Sequence, residues 1–277
     1  MNSITERAIN LRKQFAVRFR RSLKNMECNR HLEGVKFGFV CACDRILYGF
    51  APLSYQIHTF TLEGEHIQRL TEKNSPWIRD FHWGFMQPPI YHQKRLIMAF
   101  RNCNTIISAS PDSDEYEVMN LPAVTNIGGK IVPHGKLLAF IDIDTSTYYE
   151  FTLSGELISQ ESIQGIEKPV HYIFSETQII ISCLVDSTIY RYSRNKHQLQ
   201  TVYDPHNLVL GICQMPDKEF LLGTQNYLIR LSSVFEPIWH YQTPRGNTSM
   251  SLLELNEGIR LYSTDSTVLD INIYDNV

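Results

Sequence analysis

The sequence is short of most of the features that name a function. No run approaches the roughly 18 consecutive apolar residues of a membrane-spanning helix. The first thirty residues carry basic side chains throughout, without the continuous apolar core of a secretory signal. There is no C-x-x-C pair, no phosphate-cradling glycine loop and no G-x-S-x-G nucleophile elbow, and none of the 10 histidines falls in an H-x-x-x-H or H-E-x-x-H pattern. These absences remove most familiar enzyme classes, leaving those in which isolated residues do the chemistry. The six cysteines (Cys28, Cys41, Cys43, Cys103, Cys183, Cys213) are irregularly spaced in a chain long enough to bury its own core. They read as reduced thiols in a cytoplasmic protein. Cys41 and Cys43 alternate onto one strand face, where buried packing is the expectation over a soft-metal site.

What is present is repetition. Residues 208–242 divide into four short runs rich in Val, Ile, Leu, Tyr and Phe, bounded by Pro, Asp, Gly, Asn or Ser, which is the pattern of an antiparallel meander. The second run recurs at residues 45, 94, 136, 178, 218 and 258, giving spacings of 49, 42, 42, 40 and 40. A period near forty residues marks a propeller blade. The third run keeps step at 55–61, 105–110, 147–152, 188–193, 227–231 and 267–273, and FTLEGEHIQRL (60–70) and FTLSGELISQE (151–161) carry the same turn into a fourth. A single four-stranded sheet cannot cover its own faces, and radial repetition leaves only short edges. The fold expected is all-β: a six-bladed β-propeller over 34–277, preceded by a basic, closing N-terminal segment over 1–33.

Residues 3–27 read as an amphipathic α-helix, with Ser3 and Glu6 as a capping box and Ile4, Ala8, Leu11, Phe15, Phe19, Leu23 and Met26 on one stripe. The net charge is −3, yet residues 1–33 hold eight bases against three acids, a surplus of +5 that leaves −8 on the rest. Docking of the helix on the ring is expected, with a partner surface, or an anionic surface or nucleic acid, as lesser readings; nucleic acid is not the expected partner. Residues 28–33 are expected to supply the missing outer strand of the last blade, a three-stranded last blade with the helix over its edge being the alternative. Gln87 to Gln93, with its Pro-Pro pair, reads as a stiff loop between the first two strands of blade 2 and as a rim contact.

The first strand of each blade lines the central channel. Aligning the copies brings Lys36, Asp80 with His82, Asn126, His171, Val209 and Asn247 or Thr248 to comparable positions near one mouth. Two imidazoles and a carboxylate could bind a divalent metal, or His171 could act as a general base while Lys36 and Asn126 orient an anion or carbonyl. Inert or simple binding is the alternative that polar channels usually realise. Candidate catalytic residues are therefore His82, His171, Asp80 and Lys36, and candidate ligand-binding residues are Asn126, Asn247, Trp83, Tyr91 and His92. His134 reads as a solvated turn residue. His58 and His66 fall on the outer half of blade 1.

The blade pattern, with its (I/L)-(L/I)-x-(A/G)-(F/T) second strand and turns such as Leu153-Ser154-Gly155-Glu156, resembles the NHL-like and gluconolactonase-like six-bladed propellers over residues 34–277. That resemblance implies a group containing protein-binding scaffolds, metal-dependent lactone hydrolases, lyases and ring-forming condensing enzymes that use the channel mouth. Its hydrolases hold calcium-type metals with acidic and amide ligands, for which this chain offers Asp80 and Asn126, so no metal or other cofactor is expected. Fold does not fix function. The reading is a binding module for a protein or small molecule at the channel mouth, with a small-molecule lyase, cyclase or hydrolase as the alternative.

Overall fold

A computed structural model describes residues 25–27, 35–81, 87–100, 104–121, 130–243, 247–255, 258–265 and 271–275. It is a six-bladed β-propeller, each blade a four-stranded antiparallel sheet. Blade 1 comprises β2 (Phe39–Ala42), β3 (Leu47–Ala51), β4 (Gln56–Phe60) and β5 (His66–Arg69). Blade 2 holds β6 (Ile90–His92), β7 (Arg95–Phe100), β8 (Thr105–Ala109) and β9 (Tyr116–Asn120). Blade 3 holds β10 (Val132–His134), β11 (Leu137–Ile141), β12 (Thr147–Thr152) and β13 (Leu157–Ser162). Blade 4 holds β14 (Pro169–Phe174), β15 (Gln178–Cys183), β16 (Ile189–Ser193) and β17 (Gln198–Tyr203). Blade 5 holds β18 (Val209–Gln214), β19 (Phe220–Thr224), β20 (Tyr227–Leu231) and β21 (Pro237–Gln242). Blade 6 is built from β22 (Asn247–Leu255), β23 (Gly258–Asp265), β24 (Ile271–Asp275) and, from the other end of the chain, β1 (Asn25–Glu27).

The second strands are nearly continuous apolar runs because both faces of a blade are covered by neighbours. Leu137–Ile141 and Gln178–Cys183 are buried after their first residue. Phe50, Met98 and Phe100 lie between blades 1 and 2, and Ile180, Phe220 and Leu222 between blades 4 and 5. Each such side chain contributes about 1.5–3 kcal/mol by leaving water. The repeated FTLEG and FTLSG turns are explained by backbone geometry: Gly64 and Gly155 sit at φ 93° and 87° and donate to the carbonyls of Thr61 and Thr152. Blade 5 makes the same turn with Phe235 at φ 67°, held by its stack on Phe220 at 4.6 Å between ring centroids.

Two expectations are corrected. The strand that closes the ring is Asn25–Glu27, antiparallel to β24 with Met26 opposite Ile273, rather than residues 28–33. It falls inside the stretch whose periodicity suggested a helix, so pairing with an open sheet edge overrides local propensity at these residues. The remainder of that helix reading lies outside the described residues. In blade 2, Ile90–His92 is itself the first strand, paired with β7, so residues 87–93 form no loop between the first two strands.

The closing seam is tied by side chains as well as by β1. Ser249 Oγ accepts the amide of Val40 and Ser251 Oγ that of Ala42, both at 3.0 Å, joining the first strands of blades 6 and 1. Arg260 and Tyr262 donate to the Leu62 carbonyl at 2.9 and 3.0 Å.

Candidate functional site in the central channel

The first strands set the geometry of the channel. Counting back four residues from the residue that closes each first hairpin (Cys43, His92, His134, Ser175, Met215, Leu255) reaches Phe39, Pro88, Lys130, His171, Gly211 and Ser251. By this count Lys130 and His171 fall at one level of the channel, within electrostatic reach of each other; blade 6 is offset, because Ser251 bonds the amide of Ala42, three residues past Phe39. In blades 4, 5 and 6 the register shifts immediately before that level, at Pro169/His171, Val209/Gly211 and Thr248/Ser251. β-Bulges re-aim a side chain. Among the described residues that level presents one ammonium and one imidazole.

Lys130 and His171 occupy adjacent blades on this level, and both are half-buried. Burial, reinforced by the Lys130 charge, pushes the His171 imidazole down to about 3, so it is neutral at ordinary pH. The Lys130 charge also reaches Cys213 on β18, where burial raises the thiol and the ammonium opposes that rise. The thiol itself donates to the Met250 carbonyl at 3.8 Å. Among the described residues no carboxylate acts on His171 or Cys213, and Lys130 forms no salt bridge. A half-buried cation without a counter-charge among the described residues creates a positive local field.

The other sequence candidates distribute as follows. His171 is in the channel, on β14. Asp80 is not: it ends a 3₁₀ turn (Pro76–Asp80), and its carboxylate accepts from Tyr116 Oη in β9, the outermost strand of blade 2, at 2.8 Å. Pro76 starts that turn, while Trp77 and Phe81 are drawn into the core between blades 1 and 2 and Phe81 meets Phe100 edge-on at 5.0 Å. Lys36 is exposed in the segment leading to β2. Tyr91 and His92 lie on β6 near its hairpin, toward the opposite mouth, where Tyr91 Oη donates to Asp44 at 3.2 Å. Burial lowers the His92 imidazole, a backbone hydrogen bond at Gly135 opposing it, and its Nε2 is buried without a hydrogen-bond partner. Asn247 opens β22 opposite Asp265. His82, Trp83 and Asn126 lie outside the described residues. Sequence reasoning missed Lys130 and Cys213. The forty-residue step backward from 251 and 211 to 171 was available, and one further step of 41 reaches Lys130.

His134 is not a solvated turn residue. Its Nδ1 donates to Glu150 at 2.7 Å, and Arg194 of blade 4 takes the other carboxylate oxygen at 2.7 Å. Beside it, Glu161 accepts from Tyr192, His197 and Tyr148. Burial opposes ionisation of Glu161, but those hydrogen bonds hold its carboxyl below the usual range. This network cements blades 3 and 4.

No family model matches this chain, and no curated protein matches it. Solved structures do. A gluconolactonase from Xanthomonas campestris superposes with a TM-score of 0.69 at 12% identity, covering 91% of this chain and 89% of that one. Virginiamycin B lyase from Staphylococcus aureus gives 0.62 at 11% identity, covering 92% and 99%. A computationally designed protein gives 0.52 at 9%, covering 86% and 70%. At these identities the likeness is one of fold. The divalent metal that the gluconolactonase-like resemblance implies does not suit this level of the channel: among the described residues no three His, Cys, Asp or Glu side chains come together, and Lys130 acts directly on the one imidazole. Among the described residues, no helix is long and apolar enough to cross a membrane.

Proposed function

We propose that this chain is a binding module whose central channel holds the anionic group of a ligand, a carboxylate or a phosphate. Lys130 supplies the charge, and neutral His171 supplies a directional hydrogen bond. The observation that carries the reading is an ammonium with no carboxylate partner among the described residues, on the same level as an imidazole that burial keeps uncharged. A half-desolvated cation is costly alone and favourable once paired. A charge-assisted hydrogen bond in such a site is worth about 1.5–3 kcal/mol.

Catalysis by His171 as a general base is less well supported. An imidazole with basicity near 3 is a weak proton acceptor at neutral pH, far from the match between catalytic pKa and operating pH that base catalysis favours. The four described cysteines, Cys41, Cys43, Cys183 and Cys213, are free thiols, which supports a reducing, cytoplasmic setting. The basic stretch before β1 is proposed to contact the ring or a partner.

Native mass spectrometry of the full-length protein, followed by calorimetric titration with inorganic phosphate, citrate and small monocarboxylates, tests the reading. A co-purified or titrated anion that binds one per chain, with affinity falling about tenfold or more in Lys130→Gln, is the expected result. Binding restricted to uncharged ligands, or unchanged in Lys130→Gln, would reject it.

A further inference from the structure

The outer half of blade 1 carries a pair of imidazoles that the channel reading does not use. His58, on β4, is only 4% exposed, and its Nδ1 lies 3.0 Å from Nε2 of the exposed His66 at the start of β5. On its other side, His58 Nε2 lies 2.9 Å from Gln56 Oε1. An amide oxygen only accepts, so Nε2 of His58 carries the hydrogen and Nδ1 keeps its lone pair, aimed at His66. Phe37 packs edge-on against His58 and Phe60 against His66, at 5.9 and 5.5 Å, walling the pair on the ring side.

This arrangement has the parts of a metal half-site. A ligating histidine characteristically donates its other ring N–H to an oxygen acceptor that fixes tautomer and orientation, and Gln56 does that here. The nitrogens are already close to bridging distance. With metal–imidazole bonds of about 2.0–2.1 Å, a nitrogen separation of 3.0 Å subtends an angle of about 94° at the metal. That angle suits two cis positions of a tetragonal or octahedral ion better than the wider angle of a tetrahedral zinc site.

We propose that His58 and His66 form a binding site for a borderline divalent cation of the Cu²⁺ or Ni²⁺ type, with His58 Nδ1 and His66 Nε2 as protein ligands and water completing the coordination. With only two protein ligands the site ranks metals by intrinsic affinity, with Cu²⁺ first. Entry of the ion breaks the His66 Nε2–H···Nδ1 His58 hydrogen bond. The His66 proton moves to its own Nδ1 through solvent, leaving the proton count unchanged, and two nitrogen–metal bonds form. The ion then clips β4 to β5.

The probe is Cu²⁺ alone, titrated into the full-length protein and read by electron paramagnetic resonance and visible absorption, with Ni²⁺ calorimetry alongside. One Cu²⁺ per chain with hyperfine coupling to two imidazole nitrogens is expected. His66→Ala, at an exposed position that leaves the fold intact by its circular dichroism, abolishes that signal, and Gln56→Ala weakens binding by about 10–100-fold. Copper that fails to saturate at one equivalent, or that binds equally well to the His66→Ala protein, overturns the assignment.

Discussion

Removing the Glu150 carboxylate is a sharp test of how the blades are held together. Glu150 is 3% exposed in the middle of β12 and accepts from His134 and Arg194, each at 2.7 Å. In Glu150→Ala the Arg194 guanidinium, with its side chain 16% exposed, loses its only ion-pair partner among the described residues. Breaking a buried pair from one side costs about 3–5 kcal/mol. Arg194 retains a 3.3 Å hydrogen bond to the Ser175 carbonyl and lies 5.3 Å above the Tyr148 ring, which places the loss near the lower end, about 3 kcal/mol. For a chain of this size that is a fall in Tm of about 6–9 °C. Chemical denaturation of Glu150→Ala, Arg194→Ala and the double variant measures it. The double variant should be less unstable than the sum of the singles by about 1–3 kcal/mol. Additivity, or a Glu150→Ala loss under about 1 kcal/mol, would refute the claim that this pair joins blades 3 and 4.

Three further outcomes are expected. Gly49→Ala places a Cβ 2.8 Å from Phe37 and 2.9 Å from Ile271, so it should destabilise by about 1–3 kcal/mol in urea titration; a neutral result would mean that the blade 1 to blade 6 seam is loosely packed. His58 is held near 4 in the folded protein against 6.5 in the unfolded chain, so below pH 6.5 the unfolded state binds the extra proton. Its contribution, at most about 3 kcal/mol, is present above pH 6.5 and is lost as pH falls toward 4; the slope of Tm against pH in that window should flatten in His58→Asn, and identical slopes would count against it. Truncation before Asn25 should preserve cooperative unfolding, whereas truncation through Glu27 removes β1 and should lower Tm markedly. Equal melting of the two truncations would contradict closure by that strand.

The ring was legible because each second strand is apolar on both faces and each turn is marked by residues that tolerate the required backbone, as at Gly64 and Gly155. Legibility failed where a strand is short or where packing overrides pattern. β6 and β10 have three residues each, too few to show a period, so Tyr91 and His92 read as a loop and Lys130 was not counted among channel residues. Asp80 was drawn outward because Trp77 and Phe81 find their apolar partners between blades 1 and 2. β1 depends on an edge at the far end of the chain, which no local periodicity reports. The Glu150 network joins residues 16 and 44 positions apart, beyond any local sequence pattern.

The central claim, an anion held in the channel by Lys130 and His171, is tested most directly by following the His171 imidazole resonances during titration with inorganic phosphate, in the wild-type protein and in Lys130→Gln. The account predicts a neutral imidazole near pH 6, a saturable shift with phosphate in the wild type, and no such shift in Lys130→Gln. A His171 that titrates near 6.5 and is indifferent to both phosphate and Lys130 would contradict it.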